Sequence, residues 1–201
     1  MYLIVGLGNP GPQYEQTPHN LGFLTIDRLA AAEGIRVSRP EGGALVGLGK
    51  LGGSEVALAK PLSYMNLSGG PVKTLLAKYG LETGRLVLVY DELALPWSSL
   101  RIRERGSAGG HNGVESVIRS LGSNEFPRVR LGIGPGHKVT DGASYVLRPF
   151  RREELKDLDE FTGRAADAVR LLISDGAAKA MTVYNRRAEG LNNEEECEST
   201  S

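Results

Sequence analysis

Three histidines, His19, His111 and His137, are the imidazoles this chain has for acid–base work near neutral pH. His19 sits in Thr17-Pro18-His19-Asn20, where a glycine-rich loop gives way to a segment with helical spacing. His111 lies in Gly109-Gly110-His111-Asn112-Gly113 and is read either as a solvent-facing helix-start residue or as support for a neighbouring group. His137 falls in a Gly- and Lys-containing loop and is read as solvated. Asp91 closes the apolar run Leu86 to Tyr90, where a carboxylate is costly unless it is paired or faces a cleft. A carboxylate beside an imidazole selects its tautomer and stabilises the imidazolium. His19 and Asp91 are therefore the candidate general base and its orienting partner. They lie far apart in sequence, so the fold must bring them together.

Side-chain nucleophiles are poorly represented. Cys197, the single cysteine, lies in an acidic tail, and no serine has the G-x-S-x-G elbow. No group of His, Cys and carboxylate shows metal-ligand spacing along the sequence, so neither metal nor cofactor is expected. Water is left as the nucleophile. Asn9, Asn66 and Asn112, each beside Gly or in a polar loop, can offer an amide N–H to a developing oxyanion or hold a substrate carbonyl. Turn and cap chemistry is the simpler role for each.

Lys plus Arg and Asp plus Glu number 24 each, so net charge gives no sign of nucleic acid, and any RNA contact must be local. Arg101, Arg103 and Arg105 alternate ahead of Ser107-Ala108-Gly109-Gly110 and a helix start, and Arg128 and Arg130 alternate later. Phosphate binding and a solvated strand face are equally good readings of these arginines.

The elements that would position these groups follow from periodicity. Strands are predicted at Tyr2 to Val5, Ala44 to Leu51, Glu55 to Lys60, Leu86 to Tyr90 (ending at Asp91-Glu92), Leu100 to Arg103 and Val129 to Ile133. Helices are predicted from about Leu21 to Gly34, Val72 to Tyr79, Val114 to Leu121, Arg151 to Asp175 and Ala177 to Tyr184. The long helix carries Leu155, Leu158, Phe161, Ala165, Val169 and Leu172 on one stripe. Strands alternating with helices give a single three-layer α/β domain, a mixed central sheet flanked by helices, over residues 1–190, with 191–201 a disordered acidic tail. Neither a signal peptide nor an apolar run of about 18 residues is seen, so a soluble cytoplasmic protein is expected. Gly6, Gly8 and Gly11 satisfy G-x-G-x-x-G, but Asp27 falls inside the first helix and Pro10 lacks a donor. These glycines read as a tight turn, not a dinucleotide site.

Taken together, the motifs are more specific than any one of them. Val5-Gly6-Leu7-Gly8-Asn9-Pro10-Gly11 with Tyr14, Thr17, His19-Asn20 and Gly22-Phe23 resembles the opening of bacterial peptidyl-tRNA hydrolases. Lys60-Pro61 with Tyr64-Met65-Asn66-Leu67-Ser68-Gly69 is similar to that family's second block. Tyr90-Asp91-Glu92-Leu93, Gly106 to Gly113 and Arg128 to Gly134 follow in the family's order. The resemblance implies a monomeric cytosolic enzyme without cofactor. It would cut the ester between peptide and tRNA 3′ ribose, recycling tRNA from prematurely released peptidyl-tRNA. It implies His19 as base, Asp91 as partner and Asn9 as the residue beside the peptide. Tyr14, Tyr64, Asn66 and Asn112 would bind the tRNA end and its peptide. Arg103 and Arg130 would grip the 5′ phosphate of the acceptor stem. A non-enzymatic RNA-binding relative on the same fold is the rival, and the presence of both His19 and Asp91 favours the enzyme. Ala94, Pro96-Trp97-Ser98-Ser99 and Met181-Thr182 depart from the family pattern and bear on local loop shape and the acceptor-stem contact.

Overall fold

Seven strands and six helices occupy residues 1–185, the part of the chain that this computed structural model describes. In chain order they are β1 (Tyr2–Gly6), α1 (Leu21–Glu33), β2 (Arg39–Glu41), β3 (Ala44–Leu51), β4 (Ser54–Pro61), α2 (Gly69–Tyr79), β5 (Leu86–Pro96), β6 (Leu100–Arg103), α3 (Asn112–Leu121), β7 (Arg128–Gly134), α4 (Gly142–Leu147), α5 (Arg152–Asp175) and α6 (Ala177–Tyr184). The expected acidic tail and Cys197 lie outside the described residues.

The strands form one sheet in the order β2-β3-β4-β1-β5-β7-β6. The centre is parallel, because β1 pairs with β4 and β5, and β5 with β7. Both flanks are antiparallel hairpins, β2-β3-β4 and β6-β7. Apolar residues fill both faces of the central strands, as a sheet covered on two sides requires. Ile4, Val87, Val89 and Val129 pack with α1 and α5 on one face. Leu3, Val5, Leu88 and Tyr90 pack with α2 and α3 on the other. The predicted three-layer α/β domain with a mixed sheet is what forms.

Two local differences bear on the site. The strand predicted to end at Asp91-Glu92 continues to Pro96. It keeps pairing with β7 through Asp91↔Leu131 and Glu92↔Gly132, then shifts register and resumes at Pro96↔Gly134. An all-apolar run marks only the part of a strand buried on both faces, and here the backbone ladder outlasts it. Leu155, placed on the buried stripe of α5, is exposed, whereas Glu154 beside it is buried. The first turn of α5 closes around Arg148, which donates to both carboxylate oxygens of Glu154 at 2.7 and 2.6 Å, so it buries charge in place of the apolar stripe.

The glycine loop after β1 works by close approach. Of its three glycines only Gly11 has positive φ, at 117°. A Cβ on Gly6 would lie 2.2 Å from the carbonyl oxygen of Gly22, and one on Gly22 would lie 2.4 Å from the carbonyls of Leu7 and Val89. The start of α1 therefore rests directly on the ends of β1 and β5. The predicted tight turn is thus mainly a packing requirement, and Asp27 faces Lys60 across an ion pair of 2.5 Å.

Candidate active site

β1 ends its pairing with β5 at Gly6↔Val89, and β5 runs on beside β7. This leaves Asp91 at the carboxyl end of the parallel strands, where the neighbouring strand stops and open α/β sheets place their sites. The gap is filled by the 3-10 turn Pro18–Asn20 that leads into α1. Thr17 braces that turn, its hydroxyl donating to the carbonyl of Tyr14 at 2.7 Å. The two residues singled out for base chemistry meet here. His19 Nδ1 lies 2.9 and 3.0 Å from the two oxygens of Asp91. A carboxylate only accepts, so Nδ1 carries the proton and Nε2 is left as the basic nitrogen.

Asp91 serves a second imidazole as well. His111 Nε2 approaches Asp91 Oδ1 at 2.9 Å, and the two imidazole rings stand 4.9 Å apart at 44°. Burial alone would lift the Asp91 carboxyl, but the charge of His19 and the hydrogen bonds from both imidazoles hold it well below the usual carboxylate range. Burial alone would lower His19, yet the charge and hydrogen bond of Asp91 outweigh it and raise the imidazole above its ordinary value. His19, Asp91, His111 and Asn112 line one cavity of about 360 Å³ with Glu92 and Val146.

Sequence spacing showed no metal set, but the fold brings one donor atom each from His19, Asp91 and His111 within 4.8 Å. The three positions are so far apart in the chain that no local ligand motif announces them. His111 Nδ1 already accepts the N–H groups of Gly113 and Val114, so its Nε2 bears the ring proton. Offering that nitrogen to a cation would require moving the proton against two backbone donors.

Asn9 is buried and fixed on three sides. Its side-chain oxygen accepts the N–H of Met65 at 2.7 Å. Its backbone N–H donates to Asn20 Oδ1 at 2.8 Å, and Asn20 Nδ2 donates back to its carbonyl at 3.0 Å. The amide orientation follows: Nδ2, a donor, is what Asn9 has left for a ligand. Asn9 also borders a second cavity of about 340 Å³ with Gly11, Asn20, Phe23 and Lys60. Met65 joins this group to the histidine wall, since a Cβ on Gly113 would lie 2.4 Å from its sulfur and 3.1 Å from His111 Cε1.

The remaining expected residues surround this centre. Asn66 and Asn112 are exposed, and their side-chain amides bond to no described residue. Tyr64 is 57% exposed and Tyr14 is half-buried. Arg103 is exposed at the end of β6. Arg130 is partly buried, its Nε and Nη2 both donating to Glu92 Oε2 at 3.0 and 2.8 Å. Arg128, once a phosphate candidate, is in the core, giving its N–H groups to the carbonyls of Ser107 and Asn124. His137 is exposed, as expected. Asn20 and Glu92 carry structural duties at the site that residue types alone did not assign. The signal for Asn20 was its place beside His19, because an asparagine amide can pair with a peptide group as another backbone would.

Comparison with known proteins places the chain among relatives of one family. A family model described as peptidyl-tRNA hydrolase matches residues 3–193. The peptidyl-tRNA hydrolase of Solibacter usitatus is 56% identical over 97% of this chain and 100% of its own length. That of Koribacter versatilis is 50% identical over 94% of each. The crystal structure of peptidyl-tRNA hydrolase from Acinetobacter baumannii superposes with a TM-score of 0.84 at 33% identity, covering 90% of this chain and 93% of that one.

Proposed function

The chain belongs to the peptidyl-tRNA hydrolase family, and on that premise we propose that His19 is the general base of an ester hydrolysis in which water is the nucleophile. The protein is a hydrolase of peptidyl-tRNA, and its substrate is a tRNA carrying an esterified peptide. The observation that carries the mechanism is the Nδ1 contact of His19 to both oxygens of Asp91, with Nε2 left free on a residue that lines a cavity. Asp91 fixes the tautomer, and Nε2 takes a proton from water as the water attacks the ester carbonyl. Negative charge grows on the carbonyl oxygen, where Asn9 Nδ2 and the free amides of Asn66 or Asn112 donate to it. Collapse expels the ribose oxygen, which recovers the proton from His19. An ester is activated enough for this sequence to run on protein groups alone.

In this reading Tyr14 and Tyr64 flank the tRNA end and its peptide, and Arg103 with the free edge of Arg130 meets the acceptor-stem 5′ phosphate. The enzyme acts as a monomer in the cytoplasm, recycling tRNA from prematurely released peptidyl-tRNA. Among the described residues no helix is long and apolar enough to cross a membrane. The decisive experiment is turnover of N-acetylaminoacyl-tRNA by the purified protein and by His19→Ala. The variant should lose roughly 10²–10⁴-fold in kcat while still binding tRNA. Near-normal turnover by His19→Ala would remove His19 as the base. Binding without turnover by the wild type would favour an RNA-binding protein.

A further inference from the structure

The second imidazole on Asp91 has both ring nitrogens committed. His111 Nδ1 accepts the backbone N–H of Gly113 at 3.1 Å and of Val114 at 3.3 Å, so the ring caps the N-terminus of α3. A nitrogen that accepts carries no proton, and the ring proton therefore sits on Nε2, 2.9 Å from Asp91 Oδ1. Protonating Nδ1 would break both cap bonds and place a cation at the positive end of a helix dipole. The ring cannot easily turn away. Its side chain is 8% exposed, and it packs edge-on to Tyr90 at 5.0 Å and tilted against His19.

We propose that His111 is a positioning residue for the hydrolysis: through a fixed Nε2–H it holds Asp91 Oδ1, keeps part of that carboxylate from His19, and so sets the base strength of His19. The inference rests on the reading of His19 as the base. Oδ1 receives donors from both rings, whereas Oδ2 faces His19 alone. The other ionisable groups nearby are otherwise engaged. On β5, Glu92 is turned to Arg130, and the Tyr90 phenol is pushed up by burial and stays neutral. On β7, Arg130 is held by Glu92 and Arg128 by carbonyls. On α3, Glu115 pairs outward with Arg119 at 3.9 Å. The α4 residues at the cavity, Gly142, Ala143 and Val146, do not titrate. Asp91 is thus the charge the two imidazoles share. Given wholly to His19, it would keep that ring protonated over a wider pH range and shrink the fraction able to accept a proton near neutrality.

Imidazole nitrogen NMR on the whole protein reads tautomers without substrate. His111 should show a protonated Nε2 and a bare Nδ1 near neutral pH. A protonated Nδ1, or averaging between tautomers, overturns the proposal. His111→Ser keeps a hydroxyl oxygen to cap α3 but cannot reach Asp91. In that variant Tm should stay near the wild-type value, and His19 should titrate at higher pH than in the wild type. The ratio of kcat/KM at about pH 8.5 to that at about pH 6 should rise roughly three- to tenfold. A folded His111→Ser with unchanged His19 titration would show that His111 only caps the helix. The wild-type spectrum decides the tautomer even if the variant does not fold. A failure of the base assignment shows separately, as normal turnover by His19→Ala.

Discussion

Met65 donates its backbone N–H to the side-chain oxygen of Asn9 over 2.7 Å, which fixes the amide's orientation and leaves its Nδ2–H groups for a ligand. Those donors suit a carbonyl oxygen or an oxyanion and give nothing to an ammonium. We propose that Asn9 separates peptidyl-tRNA from aminoacyl-tRNA by assisting the peptide ester, while the free amine of the other substrate stays uncompensated. N-acetylated aminoacyl-tRNA should be cleaved far faster than the free-amine form. Asn9→Ala should narrow that ratio chiefly by slowing the blocked substrate, on the order of 10²-fold if Asn9 is an oxyanion donor. Asn9→Asp, which puts an acceptor against the Met65 N–H and no donor in the site, should be no better. The check is kcat/KM for both esters, corrected for spontaneous hydrolysis. An unchanged ratio would move discrimination to Asn66, Asn112 or the backbone.

Asp91 raises the His19 imidazole against the effect of burial, so the acid limb of kcat/KM should lie above that of a free imidazole. Asp91→Asn removes the charge and leaves the burial. Its limb should move to lower pH, and its rate should fall roughly 10²–10⁴-fold. A profile equal to wild type would show that Asp91 does not partner His19 during turnover.

The same pair links folding to pH. His19 has a raised value in the fold, so its contribution is complete below about 6.5 and is lost as pH rises through the folded value. Asp91 is depressed, so its contribution is present above about 3.8 and is lost as pH falls through its folded value. The Tm advantage of wild type over Asp91→Asn should therefore be larger near pH 6 than near pH 9. A difference independent of pH across that window would mean that the His19 cation is not stabilised in the fold.

How much of this was legible beforehand depended on whether the information was local. The α1, α3, α5 and α6 spans follow from helical periodicity to within two residues, and Gly34 and Gly80 are left-handed stops with φ of 65° and 62°, whereas α2 begins at Gly69, ahead of the predicted Val72. The short β2 and α4 carry too few periodic residues to show. His19, Asp91 and Asn9 stood out because polar residues at strand ends need partners. The convergence of His111 on Asp91, and the commitment of Asn9 to Met65, are long-range facts that spacing does not encode. Arg128 misled for a related reason. Alternating arginines on an edge hairpin look like a charged face, but loop carbonyls from Ser107 and Asn124 fold over one of them.

Chelation should leave turnover intact. His111 has its Nδ1 fixed as an acceptor and its Nε2–H on Asp91, so it does not offer a lone pair to a cation as held. With tRNA folded beforehand, EDTA should not change kcat. Inhibition reversed by one divalent ion acting on the protein would contradict the water-and-histidine mechanism.

Arg103 and Arg130 separate two effects that a phosphate contact alone would not. Arg103 is exposed and in no ion pair among the described residues, so Arg103→Ala should leave Tm unchanged. It should raise KM for full-length tRNA and flatten the logarithmic salt dependence by about 0.9 for one lost phosphate contact. A minimal substrate without the acceptor stem should barely respond. Arg130 gives two N–H groups to Glu92, whose carboxylate is 7% exposed and adjoins Asp91 in sequence. Its loss leaves that buried charge without its partner, a defect on the order of 3 kcal/mol. Arg130→Ala should therefore lower Tm and slow both full-length and minimal substrates, because a shifted Glu92 disturbs the strand that carries Asp91. Glu92→Gln keeps the shape and two acceptor lone pairs but frees the arginine charge, so it should tighten tRNA binding at low salt while costing less Tm. If Arg130→Ala instead matches Arg103→Ala, with stability intact and only the full-length substrate affected, the Glu92 contact is dispensable and Arg130 is purely a phosphate ligand.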